Sequence, residues 1–363
     1  MADAFSQIDK ATWLAKVEKD LKGRALEELT WPLPEGIEIT PFAHAEDLPS
    51  ALNPIRRPNN QWEIGETFLL GDDPKAANRQ LLAALSKGVN SPLVVLSAMP
   101  SEIYLEQLLQ EVHLGYIHFG IELAAPGDAH SVATMMRIHL TKHYTEQPIS
   151  WSLSGISNTT NASMWKGLLK AGTQSPKLAL VDARPWFGNR EGVVEELSKT
   201  TRGLIQVLET AQAADLDLSQ WIKNVRVQLQ VGTSYFLEIA KIRALKHLMA
   251  NVLQSFQLQG GQLPEIDAYL APQAYHEEIH TNKIRATSMA MSAVIAGVDR
   301  LTVLPSDGEE GANADDFSRR VARNVQHVLM LESHLDHVVD PAAGSYYLEN
   351  LTQQLAVKAW EKV

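Results

Sequence analysis

The amino-acid sequence predicts an α/β protein, built as a (β/α)8 TIM barrel with an extended N-terminal helical and irregular arm. Short runs of apolar or β-branched residues alternate with longer amphipathic stretches along most of the chain. This alternation is typical of parallel strands joined by helices. The runs are apolar throughout, which indicates strands that are buried on both faces of the sheet.

Residues 1–70 form the predicted arm. Trp13, Val17 and Leu21 are spaced by four residues and place one apolar stripe on a short helix. A segment rich in proline follows, and it cannot be helix interior because proline restricts both itself and its predecessor. Such an arm lies either against its own barrel or around a partner subunit, and the sequence leaves both open. The candidate partner contacts are the large apolar residues of the arm, Trp13, Val17, Leu21 and Trp31.

Residues 71–363 form the predicted barrel. In a barrel of this type, chemistry belongs to the loops at the carboxyl ends of the strands. Eight strand and helix units in about 290 residues fit a closed barrel better than an open doubly wound sheet, which is the alternative. The eight predicted strands are 93–96, 116–123, 149–153, 178–181, 225–231, 266–270, 301–304 and 338–339.

Composition narrows the possible functions. The chain has 363 residues, with 43 acidic against 32 basic ones, and its net charge of -11 opposes binding to the phosphate backbone of nucleic acid. The absence of cysteine excludes disulfides, thiolate metal sites and cysteine nucleophiles. The sequence lacks a secretory signal and any apolar run of about 18 residues that would cross a membrane. We therefore expect a cytoplasmic protein without nucleic-acid or membrane partners.

One motif has the spacing of a metal site. His276, Glu277 and His280 match H-E-x-x-H, in which two histidines one helical turn apart bind zinc and the glutamate acts on the metal-bound water. The motif predicts a zinc-dependent hydrolase as an alternative function. However, the histidines fall at the start of a predicted helix, and no histidine or glutamate follows before Gly308 as a third ligand. We therefore expect no metal ion.

Four strings of residues carry a family resemblance, namely 235–245, 319–326, 332–335 and 339–347. They resemble the adenosylcobalamin-dependent methylmalonyl-CoA mutase family, and the resemblance covers nearly the whole chain, including the arm. It implies a (β/α)8 barrel that binds an acyl-CoA along its axis and a separate C-terminal domain that holds cobalamin at the barrel mouth. It also implies a radical rearrangement between methylmalonyl-CoA and succinyl-CoA.

Within this family the sequence resembles the small, non-catalytic chain, because three strings that contact substrate in catalytic members differ here. The Y-R-G-R-P-W string corresponds to residues 55–62, without a tyrosine. The H-x-Q-T-S-G string corresponds to residues 265–270, without a histidine, and H-N-[ND]-F-F becomes residues 232–236. We expect no catalytic residues. The side chains expected as vestigial contacts at the barrel mouth are Thr233, Tyr269, Gln273 and His276.

The resemblance implies a subunit that stabilises a heterodimer with the catalytic large subunit of methylmalonyl-CoA mutase. Acyl-CoA would then be bound by the partner, and adenosylcobalamin would serve the holoenzyme. We expect no cobalamin domain in this chain and no cofactor bound to it. The alternative is an acyl-CoA mutase that is active in its own right, with altered specificity, in which Tyr269, Gln273 and His276 replace the missing polar groups.

Overall fold

A computed structural model gives the fold of the chain. None of its described helices is both long enough and apolar enough to span a lipid bilayer. The residues that the structure describes are 8–33, 36–40, 42–48, 57–123, 129–144, 149–154, 177, 179–188, 192–258, 262–308 and 314–363.

The arm contains helix α1 (Lys10–Asp20) and an antiparallel pair of short strands, β1 (Trp31–Pro32) and β2 (Glu38–Ile39). Helix α1 begins after Asp9, whose carboxylate accepts a hydrogen bond from the backbone N–H of Thr12. The helix buries none of its residues, whereas Ile37 and Ile39 are buried. The two short strands therefore anchor the arm to the chain's own core, and α1 stays at the surface.

Eight parallel strands form the central sheet, which confirms the predicted barrel. The edge strands β6 and β7 approach each other at one parallel bridge, between Ser152 and Lys177. Two backbone hydrogen bonds form it, from Lys177 N to Trp151 O (2.8 Å) and from Leu153 N to Lys177 O (3.3 Å). The open-sheet alternative is therefore wrong. The strands are β3 (Glu63–Leu70), β4 (Ser91–Leu96), β5 (His118–Leu123), β6 (Ser150–Ser154), β7 (Ala179–Asp182), β8 (Val225–Val231), β9 (Glu265–Leu270) and β10 (Arg300–Thr302).

Helices cover the outside of the sheet. The apolar core lies between the two layers, where Val227 and Leu229 of β8 and Ile239 and Ile242 of the following helix are buried. The described helices after the arm are α2 (Pro74–Leu85), α3 (Glu102–Leu108), α4 (Ala129–His143), α5 (Gly192–Ala213), α6 (Leu218–Trp221), α7 (Tyr235–Ser255), α8 (Ile279–Ile295), α9 (Asp316–His327) and α10 (Tyr346–Trp360).

Two strand predictions were wrong. The first barrel strand, β3, lies within the range predicted for the arm, and it escaped notice because Glu66 and Thr67 interrupt its apolar pattern. Glu66 is buried there because Arg319 and Arg323 of α9 donate hydrogen bonds to its two carboxylate oxygens, at 2.6 to 2.8 Å. The predicted eighth strand, 338–339, lies in a loop. The sheet therefore begins at β3 and ends at β10.

Candidate functional site

The interior of the barrel is lined by charged and polar side chains. Arg226 on β8 donates a hydrogen bond from Nη2 to Ser154 Oγ on β6, with an N···O distance of 2.6 Å. Strand β7 lies between β8 and β6 in the sheet, so this bond crosses the inside of the barrel. Asp267 on the neighbouring strand β9 accepts hydrogen bonds from Arg226 on one side and from Arg300 on the other.

Six charged residues form what we call the inner network. Arg300 is at its centre: its guanidinium lies 2.6 Å from Glu63, 2.7 Å from Glu265 and 2.8 Å from Asp267. Lys177 forms an ion pair with Glu265. Three acidic groups thus balance three basic ones. The members are Glu63, Lys177, Arg226, Glu265, Asp267 and Arg300.

The charges of the inner network shift the pKa values of the groups among them. Burial raises the pKa of Asp267, but Arg226 and Arg300 outweigh burial and hold this pKa below its ordinary value. Burial, followed by the charge of Arg300, lowers the pKa of Lys177 to about 8. Burial and the charges of Arg300 and Arg226 lower the pKa of His118 far below its ordinary value. His118 is therefore neutral, and its ring nitrogens bond the hydroxyls of Ser150 and Ser152.

A second group of polar residues, the mouth network, closes the carboxyl end of the barrel. Arg184 follows β7 and donates hydrogen bonds to Glu122 on β5 (3.1 and 3.2 Å) and to Asp182 (2.9 Å). Its guanidinium also lies over the ring of Tyr269, 5.1 Å from the ring centre. Tyr269 accepts a hydrogen bond from Gln228 Nε2 at 3.1 Å. The mouth network therefore joins strands β5, β7, β8 and β9.

Side chains of these networks occupy the barrel interior at the level of Arg226, Asp267 and Gln228. Arg226 and Asp267 are each 2% exposed, and Gln228 is completely buried. A channel wide enough for the pantetheine arm of coenzyme A would leave such inward-facing side chains exposed to water. Near the mouth, a cavity of about 20 Å³, lined in part by Thr67, Tyr269 and Thr302, has room for about one water molecule.

Comparison with known proteins shows which family the chain is similar to. Residues 192–363 match the sequence profile of the methylmalonyl-CoA mutase family. The methylmalonyl-CoA mutase small subunit of Porphyromonas gingivalis is 28% identical over 98% of this chain and 62% of its own length. The small subunit of Streptomyces virginiae is 26% identical over 99% of this chain and 64% of its own length. The chain is therefore similar to members of the methylmalonyl-CoA mutase family.

The family resemblance is thus confirmed, and the chain spans about six tenths of the length of these two small subunits. The methylmalonyl-CoA mutase of Rhizobium meliloti is 34% identical over 46% of this chain and 24% of its own length.

The strings that carry the family resemblance hold outer helices of the chain in place. Arg243 of α7 donates hydrogen bonds to both carboxylate oxygens of Asp340 (2.9 Å), to Glu349 (2.8 Å) and to Thr352 (3.1 Å). Asp340 has a positive φ of 47°, a conformation that costs energy for a residue other than glycine. The Arg243 contacts stabilise this turn between α9 and α10.

The stretch expected to replace the tyrosine string of catalytic mutases is also fixed by hydrogen bonds. Asn60 Nδ2 donates to the carbonyl oxygens of Leu335 (2.8 Å) and Val294 (2.9 Å), and Arg57 donates to Gly297. Residues 55 and 56 of this string lie outside the described residues. The described part of the stretch therefore joins the loops at the opposite, amino-terminal end of the barrel, because Asn60 precedes β3 and Gly297 precedes β10.

The four predicted barrel-mouth residues differ in their surroundings. Tyr269 belongs to the mouth network, whereas Thr233, Gln273 and His276 are exposed on the loops after β8 and β9. Within the described part of the chain, no hydrogen bond joins any two of them. Their role as vestigial contacts to substrate therefore stays a prediction.

The H-E-x-x-H motif does not have the geometry of a zinc site. Helix α8 begins at Ile279, and Glu278 caps it by accepting a hydrogen bond from His280 N at 3.1 Å. His276 therefore precedes the helix, and both histidines are exposed. Because they do not share a helical face one turn apart, the zinc hydrolase has no support in the structure.

Proposed function

We propose that this chain is a non-catalytic subunit of a methylmalonyl-CoA mutase and that it stabilises a heterodimer with the catalytic large chain. The observation that carries the proposal is the inner network, which occupies the axis along which the family resemblance places acyl-CoA. The similarity to small subunits over nearly the whole chain supports the same assignment.

The energetics of the inner network oppose binding of acyl-CoA along the axis. Breaking a buried ion pair by removing one partner costs about 3–5 kcal/mol, because the other charge stays buried without compensation. Arg300 contacts three carboxylates, so an axial ligand would have to displace several such contacts. We infer that the network keeps the barrel closed and gives it the rigidity that a structural subunit needs.

The described residues at the barrel mouth do not fit adenosylcobalamin, the cofactor that the family resemblance implies. Arg184 is engaged by Glu122 and Asp182, and the hydroxyl of Tyr269 is engaged by Gln228. Most polar groups of the mouth network therefore bond one another, although Gln228 Oε1 is buried without a hydrogen-bond partner in the described structure. We propose that both the cofactor and the acyl-CoA are bound by the partner.

Helix α1 is the proposed contact with the partner. The ring of Trp13 lies against Phe42 of the same arm, with ring centres 4.7 Å apart and nearly perpendicular, yet Phe42 itself is 38% exposed. Val17 and Leu21 are only partly buried. The apolar face of α1 is thus incompletely covered by its own chain, and a partner surface would remove it from water. The structure does not describe the side chain of Trp31, the fourth candidate contact. Its contact with a partner therefore stays a prediction.

Co-expression with the large chain from the same source tests this proposal. We expect a one-to-one complex on gel filtration, mutase turnover by the complex, and none by this chain alone. Trp13→Ala and Leu21→Ala should weaken the complex while leaving the unfolding temperature of the isolated chain nearly unchanged. Ile284→Ala is the matched control, because Ile284 is 73% exposed on α8. Turnover by this chain alone would contradict the proposal.

A further inference from the structure

A group of metal-ligating side chains lies outside the barrel, where helices α3 and α4 meet. It consists of Glu106 on α3 and of His139 and His143 on α4. Each residue offers one ligand atom, and these atoms lie within 4.8 Å of one another. The two histidines are four residues apart and therefore share one face of α4, with ring centres 4.6 Å apart. His143 Nε2 is 3.8 Å from Glu106 Oε1.

His139 provides an independent indication of a ligand. It is only 9% exposed, and its Nδ1 atom is buried without a hydrogen-bond partner in the described structure. An unsatisfied buried polar atom costs about 1–3 kcal/mol, so a bound ion there would be stabilising.

We propose that Glu106, His139 and His143 bind a divalent transition-metal ion, with zinc as the best match. Two imidazoles and one carboxylate form a donor set that zinc accepts, with bonds of about 2.0–2.2 Å. Such bonds place the ligand atoms roughly 3.3–3.6 Å apart, so small side-chain rotations are enough to close the site. A water molecule would take the fourth position, and the ion would link α3 to α4.

Lys142 competes with the metal ion. Its ammonium group forms an ion pair with Glu106 Oε1, one of the two carboxylate oxygens available to the metal. Its charge also repels a divalent cation. Removal of Lys142 should therefore strengthen metal binding, an effect that a general loss of structure would not produce.

A second histidine group serves as the control. His334, Asp336 and His337 also lie within ligand reach of one another, and both of these histidines are exposed. Their rings stack on each other, with centres 4.8 Å apart. Asp336 Oδ1 is buried without a hydrogen-bond partner in the described structure, but neither histidine is buried, so we base no site on this group. Substitutions of His334 and His337 therefore measure how much metal is bound by exposed histidines alone.

The test is calorimetric titration of zinc into the full chain, purified without a histidine tag and freed of metal by a chelator. We expect one equivalent of zinc to bind with micromolar or tighter affinity and to raise the unfolding temperature. His143→Ala and Glu106→Gln should each weaken binding about tenfold or more, since each removes one of three ligands. Lys142→Ala should tighten it.

His334→Ala and His337→Ala should leave both the stoichiometry and the affinity unchanged. His143 is exposed, so the fold of its variant is preserved and can be checked by its unfolding transition. Three results would each overturn the proposal: no binding by the unmodified chain, unchanged binding by His143→Ala, or loss of binding in the His334 and His337 variants.

Discussion

Arg184 and Glu122 form a bidentate ion pair across the mouth of the barrel, with N···O distances of 3.1 and 3.2 Å. The two residues belong to the ends of β7 and β5, which are separated by β6. In a TIM barrel this end of the sheet carries the chemistry. Here it carries a pair of charges that satisfy each other, and this arrangement is compatible with the proposed non-catalytic subunit.

Asp267→Ala should strongly destabilise the chain. The substitution leaves the guanidinium groups of Arg226 and Arg300 buried without their shared carboxylate, and the expected loss is about 3–5 kcal/mol in the free energy of unfolding. Urea unfolding measures this loss. The control is Glu209→Ala on the exposed side of α5, which should change stability by less than about 0.5 kcal/mol. Equal effects of the two substitutions would mean that the inner network does not hold the barrel together.

Arg243→Lys tests the structural role of the family strings. Lysine keeps the charge but loses the planar fork that bonds both oxygens of Asp340, so we expect a loss of about 1–3 kcal/mol in stability. Arg79→Lys, at an exposed position on α2, is the matched control. If Arg243→Lys unfolds at the same urea concentration as the unmodified chain, then the string 235–245 does not stabilise the fold through Arg243.

His118 should make stability depend on pH. Its folded-state pKa is depressed, so the unfolded chain binds more protons wherever the pH lies between that depressed value and about 6.5. The stabilisation is complete above about pH 6.5 and is lost as the pH falls toward the folded-state pKa. His118→Gln should reduce the slope of the unfolding free energy in this range by up to about 1.4 kcal/mol per pH unit. An identical slope in the variant would show that His118 is protonated in the fold.

The strand and helix alternation was sufficient to predict the barrel, because most strands are short, apolar and bounded by turns. Strand β3 was missed since Gly65, Glu66 and Thr67 break the apolar run, and the partners that make Glu66 tolerable, Arg319 and Arg323, lie more than 250 residues away in sequence. Such a long-range ion pair leaves no local signal.

The inner network was missed for a related reason. Strand β8 reads Val225-Arg226-Val227-Gln228-Leu229-Gln230-Val231, and this strict alternation of polar and apolar residues contradicts a strand with two apolar faces. The alternation was the available signal for a polar barrel interior. Arg226, Asp267 and Arg300 lie on three neighbouring strands, and the register between these strands brings the side chains together. The sequence alone does not give that register.

The number of acyl-CoA molecules bound per heterodimer tests the central claim most directly. Titration of methylmalonyl-CoA into the purified complex of this chain with its large partner measures that number. The filled barrel predicts one acyl-CoA per heterodimer, bound by the partner alone. Two acyl-CoA molecules per heterodimer would mean that this barrel opens and takes substrate, and would contradict the claim that it is a structural subunit.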